Sequence, residues 1–394
     1  MSENVFSGIN VLDLGTGIAN PLSLRYLADY GATVVCVESI ARPNLMRTNQ
    51  PYKGFQPGIN RSGYYACLCH NIHSITLNLD EPGDLEIARK LAAWADIVGD
   101  SHRPGVAEKW GMDYESLKEI NPDVIMIRSS NQGLTGPRRM YRGFGNQING
   151  LAGFVNLCGF PDEEPVCFMM AYTDYFTPNF SVAAITGALE YRRRTGKGQL
   201  LDISQVEAGL HFLSTWLLNY SVNDIEQERN GNRCDYAAPH NVYRCAGEDR
   251  WCAITVFTDE EWEALCNTVG NPEWTHRQEF HTLSSRKENE DELDKLVEKW
   301  TINLDPYDVM HSLQKAGVPA GVVQNARDLY NDPQLRAIEG FWVTEHKEIG
   351  QFSHLAQPAR LSKTPPKLYR SSPLLGEHND YVRHEILGIK KDEV

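Results

Sequence analysis

Asp174 is the residue of this sequence whose type and position best suit covalent chemistry. It stands in the segment AYTDYF at 171–176, just before an apolar stretch over 178–194 that predicts a helix. A carboxylate where a strand-like segment gives way to a helix N-terminus lies near oriented backbone N–H groups, which suits a nucleophile whose reaction develops oxyanions. The alternative is a helix-capping or surface carboxylate. Asp174 is our candidate catalytic residue.

A second group of candidate residues is basic and follows the predicted strands. Arg42, Arg47, Arg103 and Lys109 are expected at the carboxyl edge of a sheet, where α/β folds bind ligands. Arg and Lys offer charge-assisted donors to phosphate oxygens, whereas the alternative is a solvated surface charge. Their grouping after successive strands favours a phosphorylated ligand.

The turn Gly15-Thr16-Gly17-Ile18-Ala19-Asn20 comes close to a dinucleotide-binding fingerprint. Glu38 ends the next strand, where an NAD-binding fold places its ribose acid. The third glycine is replaced by Asn20, and Pro21 follows. Three readings stay open, namely a nicotinamide site, a simple turn between strand and helix, and a site for another nucleotide-type ligand.

Other common catalytic patterns are excluded. Cys67, Cys69, His70 and His73 lie close together, but no second pair follows at zinc-site spacing, so we predict structural cysteines and no metal site. The sequence has no Gly-x-Ser-x-Gly elbow, Walker loop or His-Glu-x-x-His motif. Serine hydrolase, P-loop and zincin chemistry are therefore not expected.

Composition indicates a soluble globular protein. The 394 residues are 41% hydrophobic and 23% charged, with a net charge of −14, which disfavours nucleic acid and acidic membrane surfaces as partners. The nine cysteines are scattered, no signal segment is recognised, and no apolar stretch reaches the roughly 18–20 residues that span a bilayer. We expect a cytoplasmic protein with no membrane segment, whose partners are small molecules or other subunits.

Strand and helix patterns alternate in the first half of the chain. Strands are predicted at 11–14, 33–38, 75–79, 97–98, 124–128 and 200–203, with helices between them, including one over 178–194 capped by Thr177. This alternation predicts an α/β domain with a parallel sheet. We predict a large domain from 1–224 and 326–394 and a smaller α+β domain over 225–325, where Thr258 and Glu261 form a capping box.

An ordered set of motifs resembles the class III CoA-transferases, the CaiB/BaiF family that includes formyl-CoA transferase and the carnitine CoA-transferases. Each motif is weak alone, but the order over nearly the full chain is specific. The set comprises VLDL at 11–14, LADYGA at 27–32, VE at 37–38, RPGV at 103–106, NP at 121–122, Asp174, TGKGQ at 195–199, GVPAG at 317–321, DP at 332–333 and LGEHN at 375–379.

The resemblance implies a fold, an assembly and a reaction. The fold would be a Rossmann-like large domain plus the smaller domain, in two interlocked subunits that form a homodimer or a heterodimer with a related subunit. Asp174 would attack an acyl-CoA to give a mixed anhydride and then an aspartyl-CoA thioester, from which a small organic acid takes CoA. Coenzyme A and acyl-CoA are then substrates, and no tightly bound cofactor is expected.

The resemblance also assigns roles around Asp174. Coenzyme A recognition falls on Ile18, Ala19, Arg47, His102, Arg103, Lys109 and Arg142, and the substrate pocket on Phe144, Tyr172 and Tyr175.

Two positions depart from formyl-CoA transferase, which has glutamine in place of Ile18 and tyrosine in place of Phe144. In addition, residues 231–236 lack its glycine-rich loop. Oxalate is therefore not expected as acceptor, and the carnitine-type branch fits better. The aromatic lining favours a larger or partly apolar acyl group, so carnitine-like and aryl-substituted dicarboxylic acids are the first acids to test.

Two alternatives share the fold. Acyl-CoA racemases use a histidine and an aspartate, and their motif would fall near Phe144-Gly145-Asn146-Gln147, which contains neither residue. A catalytically silent subunit of a hetero-oligomer would keep the fold and lose the nucleophile. The presence of Asp174 argues against that second alternative.

Overall fold

The computed structural model describes residues 4–167 and 169–390 and contains two compact units. One unit runs to Val155, takes in Cys167–Gln227, and resumes at Arg336. The other unit consists of Asn156–Val166 and Glu228–Leu335. The second unit thus contains 156–166 and 326–335, which the sequence analysis assigned to the large domain.

A six-stranded parallel sheet forms the centre of the first unit, as the alternating pattern predicted. The strand order is β3-β2-β1-β4-β5-β6, so the direction of strand addition reverses between β1 and β4. Ligands of open α/β sheets bind outside the carboxyl ends of the strands at such a reversal. The strands are β1 (Asn10–Asp13), β2 (Thr33–Glu38), β3 (His73–Thr76), β4 (Ile97–Asp100), β5 (Ile125–Ser130) and β6 (Leu200–Ser204).

Helices cover both faces of this sheet, because side chains alternate between the faces along each strand. Val11, Val34 and Ile97 pack on the side of Leu24 and Ile185. On the other face, the strands pack against Leu91, Leu117 and Val382. The helices are α1 (Ala19–Asp29), α2 (Gly63–Leu68), α3 (Pro82–Trp94), α4 (Val106–Trp110), α5 (Tyr114–Ile120), α6 (Gly145–Leu151), α7 (Phe154–Leu157), α8 (Tyr172–Thr195), α9 (Gln205–Leu210) and α10 (Ser214–Asn223).

Helix α8 begins at Tyr172, six residues before the start that the sequence rules predicted. Those rules place proline at the first helical position, but Pro178 is the seventh residue of α8. Proline has no N–H, so it cannot bond the carbonyl of Asp174, four residues earlier. The first turn is held from outside instead: the amide of Asn149 donates to the Met170 carbonyl at 2.9 Å and accepts from the Thr173 N–H at 3.3 Å.

The second unit has a three-stranded antiparallel sheet whose order is β7-β8-β9, with its own core around Tyr243, Ile254 and Leu293. The Thr258–Glu261 capping box is present as predicted. The elements are β7 (His240–Arg244), β8 (Trp251–Thr255), α11 (Asp259–Thr268), α12 (Leu283–Glu288), α13 (Glu290–Thr301), α14 (Pro306–Lys315), β9 (Ala320–Val322), α15 (Ala326–Asn331) and α16 (Pro333–Ala337).

The last described segment returns to the first unit. The antiparallel hairpin of β10 (Phe341–His346) and β11 (Gly350–Leu355) comes first, and a π-helical turn over Tyr381–Ile386 follows. Between them the chain crosses the edge of the large sheet, where the Ser74 hydroxyl accepts from the Gly376 N–H at 3.0 Å. The C-terminal segment therefore completes the structure that the first residues begin.

Candidate active site

A cavity of about 1110 Å³ lies at the carboxyl ends of β1, β4, β5 and β6. This is the edge where a doubly wound sheet exposes loop residues that can bind a ligand. Its walls come from the turn after β1, the segment after β4, the end of β5, the start of α8 and the start of α9. Asp174 is in the wall, on the first turn of α8.

Burial gives the Asp174 carboxyl an unusual affinity for protons. It raises the pKa of Asp174 from 3.8 to about 6, because a half-buried carboxylate loses hydration of its charge. A hydrogen bond from the Gln205 side chain acts in the opposite direction and lowers this pKa. The group is therefore ionised at neutral pH yet more basic than an exposed aspartate, which favours a nucleophilic role.

Gly145 allows α6 to approach Asp174 closely. A Cβ atom at this glycine would lie 1.8 Å from the Ala171 Cβ and 3.2 Å from an Asp174 carboxylate oxygen. The preceding residue, Phe144, caps α6, and its N–H donates to the Gln147 Oε1 atom at 3.1 Å. The Phe144 ring is 70% exposed at the cavity rim, so it is accessible to a substrate.

The turn between β1 and α1 forms the opposite wall. One carboxylate oxygen of the buried Asp13 accepts from the Gly15 N–H at 2.8 Å and from the Asn20 amide at 2.9 Å. Burial raises the pKa of Asp13 to about 7. Asn20, which replaces the third glycine of the dinucleotide fingerprint, is fully buried and fixes this turn with Ile18 and Ala19 at the cavity.

Glu38 does not have the role that a nicotinamide site would require. Its carboxylate accepts two hydrogen bonds from Arg47 at 2.7 Å each, one from Tyr65 at 3.2 Å and one from Ser74 at 2.7 Å. With four donors satisfied inside the protein, the carboxylate has little capacity left for a ribose hydroxyl. Glu38 therefore does not support a nicotinamide site at the glycine turn.

A smaller cavity of 440 Å³ lies beyond β1, β2, β3 and β4, and shares Thr16, His102 and Arg103 with the larger one. The Nδ1 atom of His102 lies 2.7 Å from an Asp100 carboxylate oxygen, which orients the ring. Trp110 meets that ring edge-on, with centroids 5.2 Å apart. The shared residues connect the two cavities along the sheet edge.

The structure brings most of the predicted site residues together but leaves four outside the two cavity walls. The residues that share a wall with Asp174 are Ile18, Ala19, His102, Arg103, Arg142 and Phe144.

Arg47 is instead buried against Glu38, and Lys109 pairs with Asp80 at 2.7 Å on the surface. Neither lines either of these two cavities, and each has a carboxylate partner elsewhere in the fold. Tyr175 donates to or accepts from the Tyr64 hydroxyl at 3.0 Å, and it is Tyr64 that reaches the cavity. The Tyr172 ring packs near Phe176, with centroids 5.7 Å apart.

Sequence reasoning missed several residues of this wall. Gln205, Ser129 and Ser130 lie there, with Tyr64 of α2, and Asn149 supports the start of α8 from α6. The signal for Ser129, Ser130 and Gln205 was available, because each lies at or just after the carboxyl end of a predicted strand. Asn149 gave no comparable signal, since its partners are 21 and 24 residues away in the chain.

The cysteine and histidine cluster has other partners. The His70 ring lies 3.0 Å from a carboxylate oxygen of Asp29, and burial raises the pKa of both the Cys67 and the Cys69 thiols. Within residues 4–167 and 169–390, no group of three or more His, Cys, Asp or Glu side chains has the arrangement of a metal site. None of the helices in the same ranges has the length and apolar character needed to cross a bilayer.

The chain is similar to known CoA-transferases over almost its whole length. The model of CoA-transferase family III matches residues 6–379. Succinyl-CoA–D-citramalate CoA-transferase of Chloroflexus aurantiacus is 32% identical over 98% of this chain and 95% of that protein. The alpha subunit of succinyl-CoA–L-malate CoA-transferase from the same organism is 30% identical over 98% of this chain and 90% of its own length.

A solved structure supports the same relationship. A CaiB/BaiF family protein from Brucella suis superimposes with a TM-score of 0.90 at 31% identity, covering 98% of this chain and 100% of the other. The parallel sheet, the site at its carboxyl edge and these matches agree. The chain therefore belongs to CoA-transferase family III and is an enzyme of the CoA-transferase class.

Proposed function

We propose that this enzyme moves coenzyme A from an acyl-CoA to a small organic acid through covalent intermediates on Asp174. The observation that carries the proposal is the placement of a half-buried carboxylate, with a pKa raised to about 6, in the wall of a cavity at the sheet edge. A solvated aspartate would be a weaker nucleophile and would leave its intermediates open to water.

The reaction proceeds by two exchanges on the same carboxyl. An Asp174 oxygen attacks the thioester carbonyl, the C–S bond breaks, and a mixed anhydride and CoA thiolate form. The thiolate then attacks the aspartyl carbonyl, which releases the donor acid as its carboxylate and leaves an aspartyl-CoA thioester. The acceptor carboxylate attacks this thioester, and the thiolate returns to the acceptor carbonyl of the new anhydride, which regenerates Asp174.

The cavity walls suit an anionic substrate with a long arm. Arg103, Arg139 and Arg142 line the large cavity, and no ion pair with a carboxylate is found for them in the described ranges. Guanidinium groups favour carboxylate and phosphate oxygens. We assign Arg103 and His102, which lie in both walls, to the CoA side, together with Ile18, Ala19 and Arg142.

The aromatic residues predicted for the acyl pocket divide between two roles. Phe144 stands at the cavity and is assigned to the substrate, whereas Tyr175 acts through Tyr64 and Tyr172 packs within the helical layer. The relatives described above carry the names of succinyl-CoA and of dicarboxylic acids. Dicarboxylic acids therefore join carnitine-like acids at the front of an acceptor screen.

A second copy, or a related subunit, is proposed as partner. No residue of α10 is buried, and its exposed apolar side chains are more numerous than a solvated helix needs. They include Trp216, Leu217, Leu218, Tyr220 and Val222, which are 39% to 68% exposed. An interlocked dimer would cover them, and the alpha-subunit name of one relative makes a heterodimer the alternative.

Trapping the covalent intermediate tests the mechanism. The enzyme is incubated with succinyl-CoA and hydroxylamine, digested, and searched by mass spectrometry for a hydroxamate on the peptide that contains Asp174. Asp174→Ala should abolish the adduct and lower kcat by about 10⁴-fold or more, because no other group replaces the nucleophile. A wild-type enzyme that turns over without any adduct, together with an active Asp174→Ala variant, would exclude the covalent route.

A further inference from the structure

Gln205 and Asp174 line the same cavity. It is the first residue of α9, directly after β6, and the helix begins here because the Ser204 hydroxyl accepts from the Glu207 N–H at 3.2 Å. The Gln205 side chain is 6% exposed and forms part of the cavity wall. Its backbone is therefore fixed, and its largely buried side chain lies in the wall of the site.

The two ends of this side chain differ in how they are satisfied. The helix of Gln205 packs against α8, Gln205 lies in the same cavity wall as Asp174, and its side chain lowers the pKa of the Asp174 carboxyl. The Oε1 atom is buried and has no hydrogen-bond partner within residues 4–167 and 169–390. Since the ionised carboxylate only accepts, the Nε2 amide is the end of the side chain that can donate to Asp174, and Oε1 is left as an acceptor.

Two serines beside Gln205 also have a buried polar atom without a hydrogen-bond partner among the described residues. β5 and β6 pair in register with Ser130 opposite Ser204, so the end of β5 lies next to the start of α9. Ser129 and Ser130 are 1% and 8% exposed, line the cavity, and have hydroxyl groups without a hydrogen-bond partner among the described residues. A buried polar atom without a partner costs about 1–3 kcal/mol, so the three that lie together at the ends of β5 and β6 indicate a ligand group that satisfies them. The Asn20 Oδ1 atom, at the start of α1, is a fourth such atom in the same wall.

We propose that Gln205 is a positioning residue for Asp174 and that its Oε1 atom, with Ser129 and Ser130, binds a hydroxyl group of the acceptor acid. The inference rests on the proposed function of Asp174 and extends it to the class of acid. A hydroxyl donates one hydrogen bond and accepts others, which matches one acceptor from Gln205 and two hydroxyls that can donate. An acid with a methylene group in place of the hydroxyl-bearing carbon would leave the Gln205 Oε1 atom without a hydrogen-bond partner.

Gln205 also acts on the nucleophile through its amide. Its hydrogen bond lowers the pKa of Asp174 against the effect of burial. The other titratable or charged groups around Asp174 are Tyr64 and Tyr175, whose pKa values are raised by burial, and the cavity residues His102, Arg103, Arg139 and Arg142. The Tyr64 and Tyr175 hydroxyls bond each other, and within the described residues neither makes a hydrogen bond to the Asp174 carboxylate.

The test compares two acids that differ by one hydroxyl. Succinyl-CoA is the donor, and glutarate and each enantiomer of 2-hydroxyglutarate are the acceptors. Wild-type kcat/KM should favour one hydroxy acid by about 10- to 100-fold, because a site built for a hydroxyl penalises its absence. Gln205→Met, which keeps the length of the side chain, should reduce this preference to within about 3-fold by losing rate on the hydroxy acid.

The pH profile separates positioning from a structural role. In Gln205→Met the acid limb of kcat/KM for glutarate should move to higher pH, because the amide no longer stabilises the carboxylate. Gln334→Met, the same change on an exposed residue, should leave both the limb and the preference as in wild type. An unmoved limb with an unchanged preference overturns the inference, and an unmoved limb alone overturns the positioning role.

Further outcomes are equally decisive. Hydroxylamine should still trap Asp174 in Gln205→Met, so loss of the adduct in wild type identifies a failure of the proposed function and not of Gln205. If Gln205→Met does not fold, Ser130→Ala should weaken the hydroxy-acid preference by about 3- to 10-fold. If neither acid turns over, calorimetry should show tighter binding of 2-hydroxyglutarate than of glutarate, and equal binding refutes the subsite.

Discussion

The two halves of the sheet's carboxyl edge differ in whether their buried polar groups have hydrogen-bond partners within the protein. At β2 and β3, the Glu38 carboxylate has Arg47, Tyr65 and Ser74 as donors, and Arg47 also donates to the Asn60 side chain and the Pro373 carbonyl. At β5 and β6, Ser129, Ser130 and Gln205 keep polar atoms without a partner in the described chain. The hydrogen bonds of the first half stabilise the fold, whereas the unpartnered polar atoms of the second half are available to a ligand.

The largest expected effect comes from removing a hydrogen-bond partner of Glu38, in the half of the edge formed by β2 and β3. Arg47→Ala should lower the free energy of unfolding by about 3–5 kcal/mol, because it leaves the Glu38 carboxylate buried without its cation. Urea unfolding followed by tryptophan fluorescence measures the loss. The double variant Arg47→Ala with Glu38→Gln should recover part of it, and a single variant as stable as wild type would mean that Arg47 is not structural.

The second prediction concerns Asp174, at the half of the edge formed by β5 and β6. The protein should become more stable when the negative charge of this residue is removed. The pKa of Asp174 is about 6 in the folded protein and 3.8 ordinarily, so the folded state binds the proton more tightly between these values. Folding stability is therefore lost as pH rises from about 4 through 6, and at 1.4 kcal/mol per pH unit the full penalty is about 3 kcal/mol.

Asp174→Asn removes this penalty while Gln205 keeps an acceptor for its amide. Its free energy of unfolding should exceed that of wild type by about 3 kcal/mol at pH 8 and by about half as much at pH 5. Urea unfolding at the two pH values checks the difference. A gain that does not depend on pH would mean that the ionised carboxylate is not the cause.

The smallest effect comes from a matched pair of serines. The Ser74 hydroxyl donates to the Glu38 carboxylate at 2.7 Å and accepts from the Gly376 N–H, so Ser74→Ala should cost about 1.5–3 kcal/mol. Ser130→Ala removes a hydroxyl without a partner and should change stability by less than about 0.5 kcal/mol. Equal losses in urea unfolding of the two variants would erase the distinction between the halves.

The sequence predicted the parts of this structure that depend on local pattern. The strands from Asn10 and Thr33 follow from apolar runs, and the Thr258 capping box follows from residue spacing. Asp174, His102, Arg103 and Arg142 come together because loops after parallel strands meet at one edge.

What the sequence did not predict depends on contacts between distant residues. Arg47 was expected to bind phosphate, but its partner Glu38 ends a different element, and charge alone does not distinguish a buried pair from a binding group. The early start of α8 depends on Asn149 of α6. Gln205 carries no local signal of its effect on the pKa of Asp174, because the two residues are brought together only by the packing of α8 against α9.

The C-terminal segment gives the molecule an order of assembly. Arg47 donates to the Pro373 carbonyl at 3.2 Å, the Thr76 N–H donates to the Asn379 side chain at 2.8 Å, and Val382 is fully buried against the sheet. While the ribosome is still making the second unit, the edge formed by β2 and β3 lacks these partners. This edge of the sheet is therefore finished only once residues 373–382 have been made, and a nascent chain cut short before residue 373 would lack these three contacts.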